Sequence, residues 1–185
     1  WLKNGQAELE NAMRGDQALE ALCRNITSFV AEYLKVQIGA LYVVEEDMLK
    51  LMGSYAYQSR KGISNRFKIG EGLIGQAALE KQSIIISDVP DDYITIASGL
   101  GKKSPHTILL VPLIYNEETI GVLEFGSFKD FTDLQIALLE EIAKAIAIAI
   151  NSAGSRIELQ KAFERTQQQA EELQAQQEEL KTANE

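Results

Sequence analysis

Residues 107–128, TILLVPLIYNEETIGVLEFGSF, read as two extended segments about one turn. Thr107 to Tyr115 and Thr119 to Phe128 are rich in Ile, Leu, Val and aromatic residues, and Asn116-Glu-Glu118 lies between them. That pattern predicts a β-hairpin. Pro112 cannot donate to a ladder, so it predicts an edge position or a bulge. A second hairpin stands upstream. Gly39 to Val44 and Leu49 to Tyr57 are strands, with the acidic Glu45-Glu-Asp47 as their turn. A third extended piece, Ser83-Ile-Ile-Ile-Ser87, has no polar face and is expected to be a buried strand.

Helices are expected around these hairpins. Residues 1–13 place Leu2, Leu9 and Met13 to one side. Gly15 breaks that helix, and Asp16 is the expected cap of the next. Leu19, Leu22, Cys23, Ile26, Phe29, Val30 and Tyr33 then recur at helical spacing. Residues 58–66 form a polar loop, Leu73 to Glu80 a short helix, and 88–106 a long connection of the kind that often carries function. Thr132 is the expected N-cap of a last helix with no clear stop. From Leu159 its apolar and small residues follow Leu159, Phe163, Thr166, Ala170, Leu173, Gln177, Leu180 and Asn184, a heptad seam that predicts a coiled coil.

The chain has 185 residues, 45% hydrophobic and 24% charged, with net charge −9. It is long enough for one real core plus an excess. The acidity argues against a partner of nucleic acid, which needs clustered Lys and Arg. One cysteine, Cys23, excludes a disulfide scaffold. One histidine, His106, removes most metal and triad chemistry, so no metal ligand set and no catalytic residue is assigned. No run approaches the roughly 18–20 apolar residues that cross a bilayer. The first residues lack the apolar region of a signal peptide. The chain begins without Met and is expected to be a fragment of something longer, cytoplasmic and without membrane contact of its own.

Gly70-Glu-Gly-Leu-Ile-Gly75 matches a dinucleotide fingerprint, but a series of βαβ crossovers is missing. The better reading is a tight turn into a helix. Cys23, on the apolar face of its helix, reads as a small core residue. Asp88, Asp91 and Asp92 read as solvated carboxylates. Arg60, Lys61, Arg66, Lys68, Lys102 and Lys103 read as local charge balance rather than an anion site.

The order helix, hairpin, short helix, strand, long loop, hairpin, long helix resembles the GAF domain. The resemblance is carried by residues 38–57, 67–93, 108–128 and 131–150, most specifically by GEGLIGQAALEKQ (70–82) and VPLIYNEETIGVLE (111–124). The tail RTQQQAEELQAQQEELKTANE is similar to the linker helix that leads into the kinase core of bacterial sensor histidine kinases, and residues 1–22 to the signalling helices that precede such domains. The resemblance implies an α+β fold. An antiparallel sheet of about six strands carries the N- and C-terminal helices on one face, and short helices, loops and a ligand pocket on the other. It implies residues 1–15 as a signalling helix, 16–153 as the GAF domain and 154–185 as the coiled-coil linker.

The implied function is a regulatory sensor and signal relay in a two-component phosphorelay. It is a homodimer acting on a downstream kinase region, and not an enzyme in itself. The alternative is a structural dimerisation spacer with a vestigial pocket. Candidate pocket residues are Tyr55, Tyr57, Asp88, Tyr93, Ile96, Ser98 and His106; polar groups converging there favour sensing, and a plug by Tyr55, Tyr57, Ile96 or Leu100 favours the spacer. Candidate dimer contacts are Leu2, Leu9, Ile146, Ile150, Ile157, Phe163, Ala170, Leu173 and Leu180. No cofactor is assigned, and the ligand, if a small molecule, is of unknown identity. Departures are informative too. Phe131 is not followed three residues later by Asp-Glu, as in cyclic-nucleotide-binding relatives. Asp88-Val-Pro90 and Ser104-Pro-His106 are similar to bilin-binding motifs, yet 88–106 holds no cysteine. Methionine-sulfoxide-reducing relatives use several loop cysteines, which this chain lacks.

Overall fold

The computed structural model describes residues 1–56, 65–90, 96–98 and 101–183. The elements in chain order are α1 (Leu2–Ala12), α2 (Leu19–Leu34), β1 (Ile38–Glu45), β2 (Met48–Tyr55), β3 (Arg66–Lys68), α3 (Gly72–Glu80), β4 (Ile84–Ser87), β5 (Ile96–Ser98), β6 (Gly101–Lys103), β7 (Thr107–Tyr115), β8 (Glu118–Ser127) and α4 (Asp133–Ala183). Six strands form one antiparallel sheet in the order β3-β2-β1-β8-β7-β4, and β5 and β6 pair separately. Both expected hairpins are present. Their two-residue turns, Glu46-Asp47 and Asn116-Glu117, are left-handed at both positions. That hand matches the twist of the strands it joins.

The sheet is covered on both faces. Period-two alternation sends Ala40, Tyr42, Ile108, Leu110 and Val122 to one face, where they pack with Ile74, Ala77 and Ala78 of α3. Leu41, Leu109, Leu123 and Phe125 face the other way and are fully buried. That second face carries the terminal helices. From them, Leu22, Cys23, Ile26 and Val30 of α2 and Leu138, Leu139, Ile142 and Ile146 of α4 are buried. Central strands covered twice must be apolar at nearly every position, which explains the unbroken runs in β1 and β7.

Pro112 pairs opposite Val122, beyond the last β4–β7 pair, Ile84 with Leu110. The ladder shifts register between Leu113 and Ile114. An open edge and a nearby bulge therefore accommodate the missing N–H. Two expectations need correction. Ile84–Ser87 is an edge strand rather than a buried one: Ile84 and Ile86 pack toward α3, and Ile85 is 45% exposed. Asp16 does not cap α2, because the helix starts at Leu19 with Ala18 at its N-cap. Gln17 instead closes the α1–α2 turn, its Nε2 donating to the carbonyls of Ala12 and Arg14. The connection 88–106 contains the short strands β5 and β6. Much of the expected 58–66 loop falls outside the described residues, and its end begins β3.

The caps of α4 match the sequence. The Thr132 N–H donates to Gln135 Oε1 at 2.9 Å, and the Gln135 N–H donates to Thr132 Oγ1 at 3.3 Å. This reciprocal box satisfies two backbone donors. The Gln135 Nε2 also donates to the Leu34 carbonyl at 3.0 Å, fixing the start of α4 to the end of α2. Trp1–Asn151 and Ser152–Glu185 form two compact units. Gly154 does not interrupt α4. Among the described residues no helix is long and apolar enough to cross a membrane.

Helix α2 lies against β2 at backbone contact. A Cβ added at Gly53 would stand 2.4 Å from the Cys23 carbonyl oxygen and 2.7 Å from Thr27 Oγ1. Neither neighbour is free to move, because Thr27 Oγ1 is itself bonded to that carbonyl at 2.7 Å. The substitution Gly53→Ala should destabilise the domain by about 3 kcal/mol through overpacking. Urea denaturation reads it, and an unchanged midpoint would show that α2 can lift from the sheet.

Candidate functional site

The α3 face of the sheet is where a pocket is expected, and its centre holds an acid. Glu124 lies on β8 opposite Ala40 of β1 and Leu110 of β7. Both belong to the apolar core under α3, as does Val122 two residues before. Strand period therefore points the Glu124 carboxylate into that core. The residue is half-buried, and no described residue pairs with it. Burial alone pushes its pKa up to about 7, since water that would solvate the anion is displaced. Sequence reading missed this residue. The available signal was a charged side chain at an inward strand position, flanked by Val122, Leu123 and Phe125.

The edge of this face is closed by the strand that follows the long connection. Pro105 covers the sheet at Gly126, where an added Cβ would meet its ring at 3.2 Å. The His106 N–H donates to the Ser127 carbonyl at 2.7 Å, and the Val89 N–H donates to the His106 carbonyl at 3.2 Å. The imidazole stands between two carboxylates. Its Nδ1 is 3.6 Å from Asp88 and its Nε2 is 3.4 Å from Asp130. Thr107 Oγ1 donates to Asp130 at 2.9 Å. The two carboxylates are largely exposed and the imidazole is half-exposed, and no described cluster of His, Cys, Asp and Glu is arranged to hold a metal.

The expected pocket residues therefore divide. Asp88 and His106 come together, with Asp130 as a partner that sequence reading did not name. Tyr55 pairs with Gly39, and both Gly39 and Gly53 face α2, so its register places it on the helix face instead. That corrects its assignment to the pocket. Ile96 is half-buried in β5, and Ser98 ends that strand. Tyr57, Tyr93 and Leu100 lie outside the described residues.

The expected dimer contacts divide as well. Leu9, Ile146 and Ile150 are at most 2% exposed within a single chain. They fill their own core and offer no surface, which corrects their assignment. Leu2 is half-buried and Ala170 exposed. Ile157, Phe163, Leu173 and Leu180 are exposed, Phe163 by 66%. The glycine fingerprint is a structural turn. Gly70 and Gly72 adopt positive φ, and a Cβ at Gly75 would stand 2.3 Å from the Lys68 carbonyl. The Gly70 N–H donates to the Gly75 carbonyl at 2.8 Å and the Glu71 side chain accepts from the Lys68 N–H at 2.8 Å. Both bonds close the turn into α3 on itself. Cys23 is buried, and burial chiefly, with Glu20 adding, pushes its thiol up to about 12. A thiol so poorly ionised is a weak nucleophile.

Glu124 sets a testable pH dependence. Its folded pKa lies above its unfolded value, so the native state holds the proton longer than the unfolded chain does. Stability from this group is fully present at low pH and falls as pH rises from about 4.5 to about 7. Glu124→Gln should remove that decline. The variant should equal the parent near pH 4 and exceed it by about 2–3 kcal/mol near pH 8. Urea titrations across that range measure the difference, and parallel curves would place the carboxylate in water.

The family model for the GAF domain matches residues 16–151. No curated protein sequence matches the chain. Among solved structures, the GAF domain of a phosphoenolpyruvate-protein phosphotransferase from Coxiella burnetii superposes with a TM-score of 0.70 at 21% identity, over 84% of this chain and 95% of that one. The corresponding Acinetobacter domain gives 0.67 at 17%, over 82% and 93%. A free methionine-R-sulfoxide reductase from Neisseria meningitidis, solved with its substrate, gives 0.63 at 20%, over 84% and 89%. At these identities the likeness concerns the fold, while the match over residues 16–151 decides the family: the chain belongs to the GAF domain family.

Proposed function

We propose that this chain is a regulatory sensor and relay module of a two-component sensor histidine kinase. In this reading it is cytoplasmic and has no catalytic activity of its own. It dimerises through α4 and passes a conformational bias to a downstream kinase region. The observation that carries the reading is α4, a single helix of 51 residues. Its first part supplies core residues to the unit Trp1–Asn151. Residues 155–182 are exposed throughout, yet they carry Leu159, Phe163, Leu173 and Leu180 along one heptad seam. An exposed apolar seam of that period calls for a partner helix, and a second copy of the chain supplies an identical one.

Glu124 favours sensing over the spacer alternative. A largely desolvated carboxylate with no partner among the described residues is a cost in a face built only for packing. It is useful in a face that receives a polar ligand group. One structural relative was solved with its substrate, so the fold accommodates small molecules. The reductase chemistry of that relative is not part of the reading, because the one thiol here is buried on α2.

The flanks of the seam set how the helices pair. With Leu159 and Leu173 at d positions, the e positions hold Gln160, Gln167, Gln174 and Lys181 and the g positions Ala162, Gln169 and Gln176. The acids Glu164, Glu171, Glu172, Glu178 and Glu179 fall outside, at b and c. Pairing should therefore depend little on salt, with less than about a threefold change in dissociation constant between low and high ionic strength. Light scattering and native mass spectrometry test the reading together. A dimer mass with a co-purifying small molecule is expected, with Phe163→Asp halving the mass and Glu124→Gln losing the ligand. A monomeric parent, or a Phe163→Asp variant of unchanged mass, overturns the relay through this seam.

A further inference from the structure

A groove lies at the open edge of β7, between the segment that follows α3 and helix α4. Beyond the pair Ile84–Leu110 strand β7 has lost β4 as a neighbour, and its residues Val111–Ile114 run on beside α4. The segment Lys81–Ser83 passes across the gap. Together with Glu140, Ala143 and Lys144 of α4 these residues enclose about 690 Å³. The floor is apolar, since Val111, Pro112 and Ala143 are buried.

The rim is polar and its charges are not balanced internally. Glu140 and Lys144 are one helical turn apart in the favourable order for an ion pair. They do not form one. Glu140 instead accepts from Ser83 Oγ at 3.1 Å. Lys144 has no carboxylate partner among the described residues. Lys81 donates to the Glu117 carbonyl, an uncharged acceptor, which holds its ammonium at the groove without neutralising it. Two cations thus face one engaged carboxylate over an apolar floor, in a chain of net charge −9.

We infer that this groove is a second ligand site, distinct from the position of Glu124, and that it takes a small organic anion with an apolar body. The carboxylate or equivalent head meets Lys144 and Lys81, and the body lies on Val111, Pro112 and Ala143. Charge-assisted contacts orient the head, and burial of the body supplies the non-directional part of the affinity. An occupant touches α4 directly, at Glu140, Ala143 and Lys144. The site would therefore bias the helix that the sensing reading uses for output, but its occupancy does not depend on that reading.

The test titrates the ¹⁵N-labelled chain with sodium octanoate and, separately, with 1-octanol. Octanoate should shift the amides of Val111, Ile114, Ala143 and Lys144 in a saturable way. Lys144→Glu and Lys81→Glu should each weaken it by roughly tenfold or more, the scale of a lost charged contact. Both lysines are exposed, so the variants should keep the parent spectrum elsewhere. Lys3→Glu, a charge change of the same size on α1, should leave binding as it was. Octanol should bind at least about tenfold more weakly than octanoate. The inference is overturned if the shifts centre on Ala40, Leu110 and Glu124, if none saturates, if octanol binds equally, or if the lysine variants bind like the parent.

Discussion

Everything in the unit Trp1–Asn151 depends on a sheet that is buried on both faces. Its central strands, β1, β8 and β7, supply two cores at once, one under α3 and one under α2 and α4. Such a sheet tolerates few polar side chains, because each inward group loses its water. It also needs helices seated closely on its surface. At Gly53 the seating is at backbone distance, with the Cys23 carbonyl occupying the space of a side chain. Glu124 is the exception to the apolar rule, and that is why it is informative. Its shift has one cause, burial, with no opposing charge to soften it.

The same constraint explains where chemistry is found and where it is not. Cys23 sits in the α2 core, so its thiol is a packing group. The glycines at 70, 72 and 75 serve the entry to α3, and the Gly70 N–H donates to the Gly75 carbonyl. His106, Asp88 and Asp130 gather at the margin, where β4, β7 and β8 begin or end. That cluster joins the end of β4 to the segment before α4. The groove at Val111–Ile114 arises for a related reason. β4 is shorter than β7, so part of β7 is left with one strand neighbour and a helix.

Much of this was legible in the residues. The hairpins, α3 and the Thr132 cap are local signals, in which turn residues and periodicity lie within a few positions of one another. The two-faced sheet was legible through the GAF resemblance. What escaped were features decided by distant neighbours. Ser83-Ile-Ile-Ile-Ser87 looks buried by composition, but strand order puts it on an edge. β3 is three residues, too short for a pattern, and exists because Met48–Lys50 offers it a ladder. Tyr55 fell on the wrong face because a bulge at Leu41/Tyr42 and the facing of Gly39 decide its register. Ile146 and Ile150 share the helical spacing of a dimer seam, and only burial tells a seam from a core.

That last distinction bears on how the molecule could carry a signal. A helix whose apolar residues serve the core along one stretch and an exposed seam along another has two separate demands on one rotation. In α4 the core residues Leu138, Leu139, Ile142, Ile146 and Ile150 satisfy the first. Leu159, Phe163, Ala170, Leu173 and Leu180 present the second. The seam is weakly specified: Thr166 and Gln177 interrupt it, and its e and g positions are nearly uncharged. A weakly specified seam has alternative packings separated by little free energy. Small differential interactions at the core end are then sufficient to choose between them, since a few kcal/mol move a two-state population almost completely. Strong heptad charges would have locked one register and made the helix a strut. In the proposed reading, that absence is what leaves the seam free to change its packing and pass on a bias.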